Sequence, residues 1–200
     1  MSVGAPRALL VDVDGVVQAA RQVPSPNHDA RPDGTVIRLI VVHGISLPPG
    51  CYGGDAIDAL FTNRLDPAAH PYFQAIADLR VSAHFLVRRD GALVQFVRCA
   101  ERAWHAGASC WDGCERCNDF SIGIELEGVD DEPYEDAQYE TLASLIAALR
   151  TRYPIDDVVG HSDIAPGRKT DPGPAFDWSR VPDARRSVAE RRAVPRVTRE

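Results

Sequence analysis

Lysine is almost absent from this chain. Of its 22 basic residues, all but Lys169 are arginine. Because lysine carries a compact ammonium group and arginine a wide planar fork, a chain that keeps lysine at one place favours a need for a small cation there. His161 and Asp171 lie close to Lys169 along the chain. This grouping of an imidazole, a carboxylate and a point charge is the most informative feature of the sequence, although an accident of composition is the alternative.

Membrane-spanning segments and export signals are also missing from the sequence. No run of about 18 apolar residues occurs, which excludes a predicted transmembrane helix. Asp12 and Asp14 interrupt the apolar stretch near the N-terminus, and such an interruption is not typical of a signal peptide. The net charge of −7 disfavours nucleic acid and acidic membranes as partners. We therefore expect a cytoplasmic protein that binds neither nucleic acid nor membrane.

Cysteines are few and odd in number. The chain has five, of which Cys110, Cys114 and Cys117 lie close together. An odd number without an export signal predicts reduced thiols. Thiolates at this spacing also suit a structural zinc site, for which His105 is the candidate fourth ligand. Both interpretations stay open at this point, and free thiols on a loop are the favoured one.

The composition is otherwise that of a soluble globular protein. With 200 residues, 44% of them hydrophobic and 26% charged, the chain predicts one domain, or one domain with tails. Apolar periodicity and turn residues predict strands over 35–43, 120–127 and 158–161, a hairpin over 84–97, helices over 55–61, 67–79 and 135–153, a cysteine-rich loop over 100–119 and a terminal helix within 179–200. Strands alternating with helices, together with one antiparallel hairpin, predict a single-domain α/β fold with a mixed central sheet flanked by helices.

One N-terminal motif points to a different chemistry. Residues 8–17 resemble the first motif of haloacid-dehalogenase-type phosphatases, in which an aspartate at a strand end attacks phosphate. Such enzymes also require a downstream lysine followed by a pair of acidic magnesium ligands. Here Asp156 and Asp157 precede Lys169, so the order is wrong. We interpret the aspartates of this segment as solvated side chains of a terminal extension.

A second constellation carries zinc chemistry. His43 and His161 fall at the ends of predicted strands, and Asp171 follows through a loop rich in proline and glycine. Two imidazoles and a carboxylate suit catalytic zinc with one open position, and zinc activates water at neutral pH. Glu125, in a mostly apolar strand, is the candidate base, and Lys169 is the candidate stabiliser of a developing oxyanion. Taken singly, each histidine and the glutamate also fit ordinary structural or solvated roles.

Several motifs around these residues resemble those of one enzyme family. The segments that carry the resemblance are Val41–Val42–His43, Ile45 to Gly50, Leu79 to His84, Arg102 to Gly107, Arg116 to Gly128 and His161 to Trp178. Over about residues 18–178 the chain resembles the cytoplasmic zinc amidases of the AmpD type, the 1,6-anhydro-N-acetylmuramyl-L-alanine amidases of cell-wall recycling. On this basis residues 1–17 form an N-terminal extension and residues 179–200 an arginine-rich tail.

The resemblance implies roles for individual residues. It implies Zn²⁺ bound by His43, His161 and Asp171, with Glu125 as catalytic base and Lys169 as transition-state cation. It also suggests that the substrate is contacted by four further residues, which are Arg80, Ala103, Trp104 and Arg116. The two arginines would face the carboxylates of the stem peptide. One departure is Gly44, since the family usually has asparagine after the first ligand.

The implied reaction cuts the amide between the lactyl group of anhydro-muramic acid and L-alanine. The expected partner is therefore a small muropeptide, and the expected oligomeric state is a monomer. Two rival functions stay open. A non-catalytic peptidoglycan-recognition module on the same fold is disfavoured because all three ligand positions are filled. An exported amidase acting on the intact wall is disfavoured because no export signal or wall-binding repeat is recognised.

Overall fold

The protein is described by a computed structural model that covers residues 9–182 and residue 184. Its strands are β1 (Arg21–Gln22), β2 (His28–Ala30), β3 (Leu39–Ile45), β4 (Phe85–Val87), β5 (Leu93–Gln95), β6 (Glu101–Ala103), β7 (Cys110–Trp111), β8 (Cys114–Glu115), β9 (Ser121–Glu127) and β10 (Asp157–Gly160). Its helices are α1 (Ala56–Phe61), α2 (Asp136–Arg152) and α3 (His161–Ile164), with short 3₁₀ turns at Pro71–Ala75, Cys117–Asp119 and Trp178–Arg180.

Six strands form a mixed central sheet in the order β1-β5-β4-β9-β3-β10. Neighbouring strands are parallel except for β4 and β5, which form the antiparallel hairpin. The predicted α/β fold with a mixed sheet flanked by helices is therefore confirmed. Strand β9 is buried along its whole length, as expected for an apolar strand covered on both faces.

The two faces of the sheet have different tasks. Because side chains alternate across a strand, Ile122 and Ile124 of β9 pack in one core with Leu142 and Leu145 of α2. The intervening positions of β3 and β9 point to the opposite face. There a second core forms around α1, and a third forms around β7. Between these two cores, β3 and β9 carry polar side chains on the same face, and these side chains form part of the site described below.

Some predicted elements differ from those observed. The helix over 67–79 is wrong, since only a 3₁₀ turn forms at Pro71–Ala75. The reason is Pro71, which lacks a backbone N–H and holds the preceding residue in the extended region, as His70 is at φ −158° and ψ 142°. The strand predicted over 35–43 begins at Leu39 and extends to Ile45, because residues 32–35 close a turn.

The segments predicted as irregular contain short paired strands. β2 pairs antiparallel with β6, and β7 pairs with β8 inside the cysteine-rich loop. The helix 55–61, the hairpin 84–97, the strand 120–127 and the helix 135–153 are confirmed within one or two residues at their ends. Of the terminal helix predicted within 179–200, residues 183 and 185–200 lie outside the described residues.

The N-terminal aspartate motif forms a tight turn. The Asp12 carboxylate accepts hydrogen bonds from the backbone N–H groups of Asp14 and Val16 at 3.0 and 2.9 Å. Val11 and Val17 pair across this turn. The aspartates thus shape a loop at the surface, as expected for solvated side chains.

In the described part of the chain, no helix has the length and apolar character needed to cross a bilayer.

Candidate active site

Three metal-ligand side chains converge at one end of the central sheet. His43 lies near the end of β3, and His161 opens α3 directly after β10. Gly160 pairs with Val42 in the parallel register, so the two histidines stand side by side although 118 residues separate them. Asp171 reaches the same point from the loop after α3. The structure therefore brings together the three ligands predicted from the sequence.

The donor atoms form a nearly regular triangle. The Nδ1 atoms of His43 and His161 are 2.9 Å apart, and Asp171 Oδ2 lies 3.0 Å from His161 Nδ1 and 3.3 Å from His43 Nδ1. Ligands about 2.0–2.1 Å from a tetrahedral zinc ion are about 3.3–3.4 Å from one another. The observed edges approach that value, so the triangle fits one tetrahedral face and leaves a fourth position open.

The electrostatics of the triangle suit a cation. Burial lowers the pKa of His43 from 6.5 to about 4, an effect that Asp171 only partly offsets. Burial also acts to raise the pKa of Asp171, but its hydrogen bonds with His161 and His43 outweigh this effect, and the pKa falls below its usual range. His43 is therefore a neutral donor and Asp171 an anionic one at neutral pH, which are the forms that bind metals.

The ring nitrogens that point away from the triangle also have partners. Nε2 of His161 lies 3.3 Å from the carbonyl oxygen of Ala106, to which Arg168 donates at 2.7 Å. Nε2 of His43 lies 2.9 Å from Nδ1 of His105. Metal-binding histidines usually hold their second ring nitrogen in such a hydrogen bond. The surroundings of both rings therefore match the donor role of the Nδ1 atoms.

Glu125 lies beside the triangle. It pairs with His43 in the register of β9 and β3, so both side chains project from the same face of the sheet. The residue is 8% exposed, and the Oε2 atom of its carboxyl group has no hydrogen-bond partner among the described residues. Burial raises the pKa of Glu125 well above 4.5, aided by Asp171 and opposed by Lys169. A buried carboxyl group with a raised pKa is suited to take and return protons.

The neighbouring glutamate on this face is engaged elsewhere. Glu127 accepts from Arg88 at 3.1 Å and from the backbone N–H of Gly53 at 2.7 Å. Its charge is thus compensated by a buried ion pair. Of the two glutamates on this face of β9, only Glu125 keeps an unpartnered carboxyl oxygen within the described residues.

A cleft of about 680 Å³ opens over the triangle. The predicted residues His43, Trp104, Glu125, His161, Lys169 and Asp171 line it. One wall is apolar and includes Leu47, Phe61, Ile76, Leu79 and Val81. Lys169 is exposed, and its ammonium group acts on the pKa values of His43 and Glu125.

Three predicted substrate residues do not line this cleft. Ala103 is buried in β6. Arg80 is exposed and follows Leu79 of the cleft wall. Arg116 has a left-handed backbone (φ 61°), pairs with Asp119 at 3.1 Å with its side chain 68% exposed, and lines a separate cavity of about 590 Å³.

The cysteine site predicted as the alternative to free thiols does not form. Cys110 pairs with Glu115, and Trp111 pairs with Cys114, so Cys110 and Cys114 project from opposite faces of their hairpin. All five cysteines of the chain are free. His105, proposed as the fourth ligand of that site, instead contacts His43. The favoured interpretation of free thiols is confirmed.

Sequence reasoning missed Tyr134. Its hydroxyl donates to the carbonyl of Pro172 at 2.9 Å, directly after Asp171. A Cβ atom at Gly44 would stand 2.5 Å from this hydroxyl, so glycine at this position leaves the space that Tyr134 fills. No motif points to this contact, because the three segments are distant along the chain.

Known proteins share this architecture and sequence. Residues 33–174 match the family described as N-acetylmuramoyl-L-alanine amidase. The chain is 61% identical over 174 residues to the 1,6-anhydro-N-acetylmuramyl-L-alanine amidase AmpD of Citrobacter freundii, covering 86% of this chain and 92% of that protein. It is 50% identical over 169 residues to AmpD of Haemophilus influenzae, covering 83% and 92% of the two chains.

A solved structure extends the likeness to three dimensions. A crystal structure of a selenomethionine AmpD derivative superposes with a TM-score of 0.84 at 61% identity, covering 86% of this chain and 97% of that chain. The family match includes five of the six strands of the central sheet, the donor triangle and Glu125, and the relatives are covered over almost their whole length. The chain belongs to the N-acetylmuramoyl-L-alanine amidase family.

Proposed function

We propose that this protein is a zinc-dependent amidase that hydrolyses the amide between the lactyl group of 1,6-anhydro-N-acetylmuramic acid and L-alanine. The observation that carries the proposal is the donor triangle, with edges of 2.9, 3.0 and 3.3 Å, beside a buried carboxyl group in an open cleft. The names of the AmpD relatives give the substrate class. A solved structure of a further relative, the amidase AmiD of Escherichia coli, is a complex with an anhydro-muropeptide substrate.

Five residues of the cleft have a part in the proposed reaction. His43, His161 and Asp171 would hold a zinc ion, and an ion bound there would supply the charge that activates water and polarises a carbonyl group. Glu125 takes a proton from the attacking water and returns it to the leaving nitrogen of L-alanine. Lys169 places a positive charge beside the carbonyl oxygen as negative charge develops there. One water is consumed, and a lactyl carboxylic acid and a free amine are produced.

Substrate positioning is assigned to residues around the cleft. Trp104, on the cleft wall, would contact the substrate, whereas the neighbouring Ala103 is fully buried and has no surface with which to do so. Arg80 and Arg116 would pair with the carboxylates of the stem peptide, which is consistent with the exposure of both guanidinium groups. These two arginines lie outside the cleft itself, so an extended peptide is required to reach them.

A cytoplasmic, monomeric enzyme is part of the proposal. Five free thiols fit a reducing compartment, where disulfides rarely form. Cell fractionation tests the location, and light scattering of the purified protein tests the oligomeric state.

The test of this function is hydrolysis of an anhydro-muropeptide by the purified, zinc-loaded protein. We expect release of the free peptide, observed by mass spectrometry, and one zinc ion per chain by metal analysis. Glu125→Gln is the matched control, because the amide cannot relay a proton while the donor triangle is untouched. It should keep zinc and lose roughly 10²–10⁴-fold in turnover.

Three outcomes would contradict parts of the proposal. Binding of the muropeptide without cleavage would favour the non-catalytic recognition module. Equal activity on macromolecular peptidoglycan would favour a wall-degrading amidase. Turnover of Glu125→Gln close to that of the wild type would move the base elsewhere.

A further inference from the structure

From the donor triangle, a series of hydrogen bonds leads into the core. Nε2 of His43 lies 2.9 Å from Nδ1 of His105. Nε2 of His105 lies 3.2 Å from the hydroxyl of Ser121, and this hydroxyl donates to the carbonyl of Cys117 at 2.6 Å. This series of hydrogen bonds ends at the carbonyl of Cys117, which can only accept, and this determines the direction of every bond in the series.

The direction of these bonds decides which nitrogen of each ring carries hydrogen. The Ser121 hydroxyl uses its proton on Cys117, so it accepts from Nε2–H of His105. Nδ1 of His105 is then bare and accepts from Nε2–H of His43. A neutral His43 with hydrogen on Nε2 has its lone pair on Nδ1, and Nδ1 is the atom that faces His161 and Asp171. This series of hydrogen bonds therefore selects the metal-binding tautomer of His43.

The position of the His105 ring is fixed by its neighbours. A Cβ atom at Gly123 would stand 2.5 Å from the ring, so the ring packs directly on the backbone of β9. His84 holds Gly123 through two hydrogen bonds. The backbone N–H of Gly123 donates to Nδ1 of His84 at 3.0 Å, and the backbone N–H of His84 donates to the carbonyl of Gly123 at 3.1 Å. Gly123 and its hydrogen bonds with His84 therefore fix the position of the His105 ring next to His43.

We propose that His105 is a positioning residue that holds His43 in the tautomer and orientation needed for metal binding through Nδ1. This inference rests on the proposed function, since it presumes that the triangle binds zinc. It assigns to His105 no contact with the reacting atoms. It also gives a reason for glycine at position 123 and for the buried serine at position 121.

Zinc affinity of purified variants tests the proposal. His105→Phe keeps a ring of similar size and removes the acceptor, and we expect zinc to bind about 10–100-fold more weakly, as for other partners of metal-binding histidines. His105→Asn restores an acceptor through its side-chain oxygen and should recover most of the affinity. Gly123→Ala displaces the ring without changing its chemistry and should also weaken binding. His70→Phe, at an exposed histidine outside the cleft, is the matched control and should bind zinc as the wild type does.

A spectroscopic readout separates this role from a purely structural one. In ¹⁵N-edited NMR of the zinc-loaded wild type, we expect a slowly exchanging Nε2–H proton on His43, which is lost or exchanges rapidly in His105→Phe. Melting of the metal-free variants reports whether each one folds.

The outcomes distinguish the two proposals. If the wild type binds zinc and cleaves substrate while His105→Phe keeps wild-type zinc affinity, the positioning role is overturned and the proposed function stands. A His105→Phe variant with a raised KM and unchanged zinc affinity would likewise overturn it, since the residue would then contact substrate. A wild type that binds no zinc overturns both.

Discussion

At the scale of single residues, Lys169 offers the sharpest test of the site. A developing oxyanion beside a metal leaves little room, and a guanidinium group is wider than an ammonium group and its charge more diffuse. We expect Lys169→Arg to lose roughly tenfold or more in turnover with zinc retained, and Lys169→Ala to lose more. Steady-state kinetics and metal analysis measure both.

The contrary result is equally definite. If arginine supports normal turnover at position 169, the scarcity of lysine elsewhere is an accident of composition.

A second residue-scale prediction concerns Glu125 in the metal-free protein. Its pKa is raised in the folded state, so the folded state holds this proton at pH values where the unfolded state has lost it. The stability contributed by the protonated group is fully present below about pH 4.5 and is lost as the pH rises through the folded pKa. Glu125→Gln removes this loss. We expect metal-free Glu125→Gln to equal the wild type at pH 4 and to be the more stable of the two at pH 8.

Urea unfolding at the two pH values measures this difference. The same offset at pH 4 and pH 8 would mean that the pKa of Glu125 is the same in the folded and unfolded states. Glu127→Gln is a useful contrast, because that carboxylate is paired with Arg88, and its loss should destabilise the protein.

At the scale of elements, the two faces of the sheet should respond independently. Leu145 of α2 is fully buried on the face opposite the cleft. We expect Leu145→Ala to cost about 2–5 kcal/mol of unfolding free energy while kcat at permissive temperature is retained. Val36→Ala, at a residue 55% exposed, should change stability by less than about 0.5 kcal/mol. A large loss of kcat in folded Leu145→Ala would show that the faces are coupled.

The elements also indicate how far the sequence alone could reach. His43 and Glu125 were identifiable because each interrupts a buried, mostly β-branched or apolar strand, where a polar side chain needs a reason. The failed helix at 67–79 has a local cause, because Pro71 outweighs the helical apolar spacing around it.

His105 illustrates what the sequence could not give. Along the chain it lies near the cysteines, and this position predicts a role beside them. Its actual partner, His43, is 62 residues away. The two meet because His105 packs on Gly123 of β9 and β9 pairs with β3, which carries His43, and no local pattern encodes these contacts.

At the scale of the whole molecule, zinc should act as a stabilising ligand. Free zinc at 100 times its Kd contributes about 2.7 kcal/mol to a protein that binds it only when folded. For a chain of this size, that corresponds to a rise in Tm of roughly 5–11 °C. Calorimetry with and without a chelator measures the shift. His43→Ala should abolish it, and a shift that survives this substitution would place the ion elsewhere.

The position of β10 has a further consequence. This strand is the last of the sheet and pairs only with β3, so fraying of the sheet would normally begin there. Yet His161 directly follows it and shares the donor triangle with His43 of the inner strand. An ion bound by both histidines would tie β10 to β3, so that this edge of the sheet would open only when the ion is released.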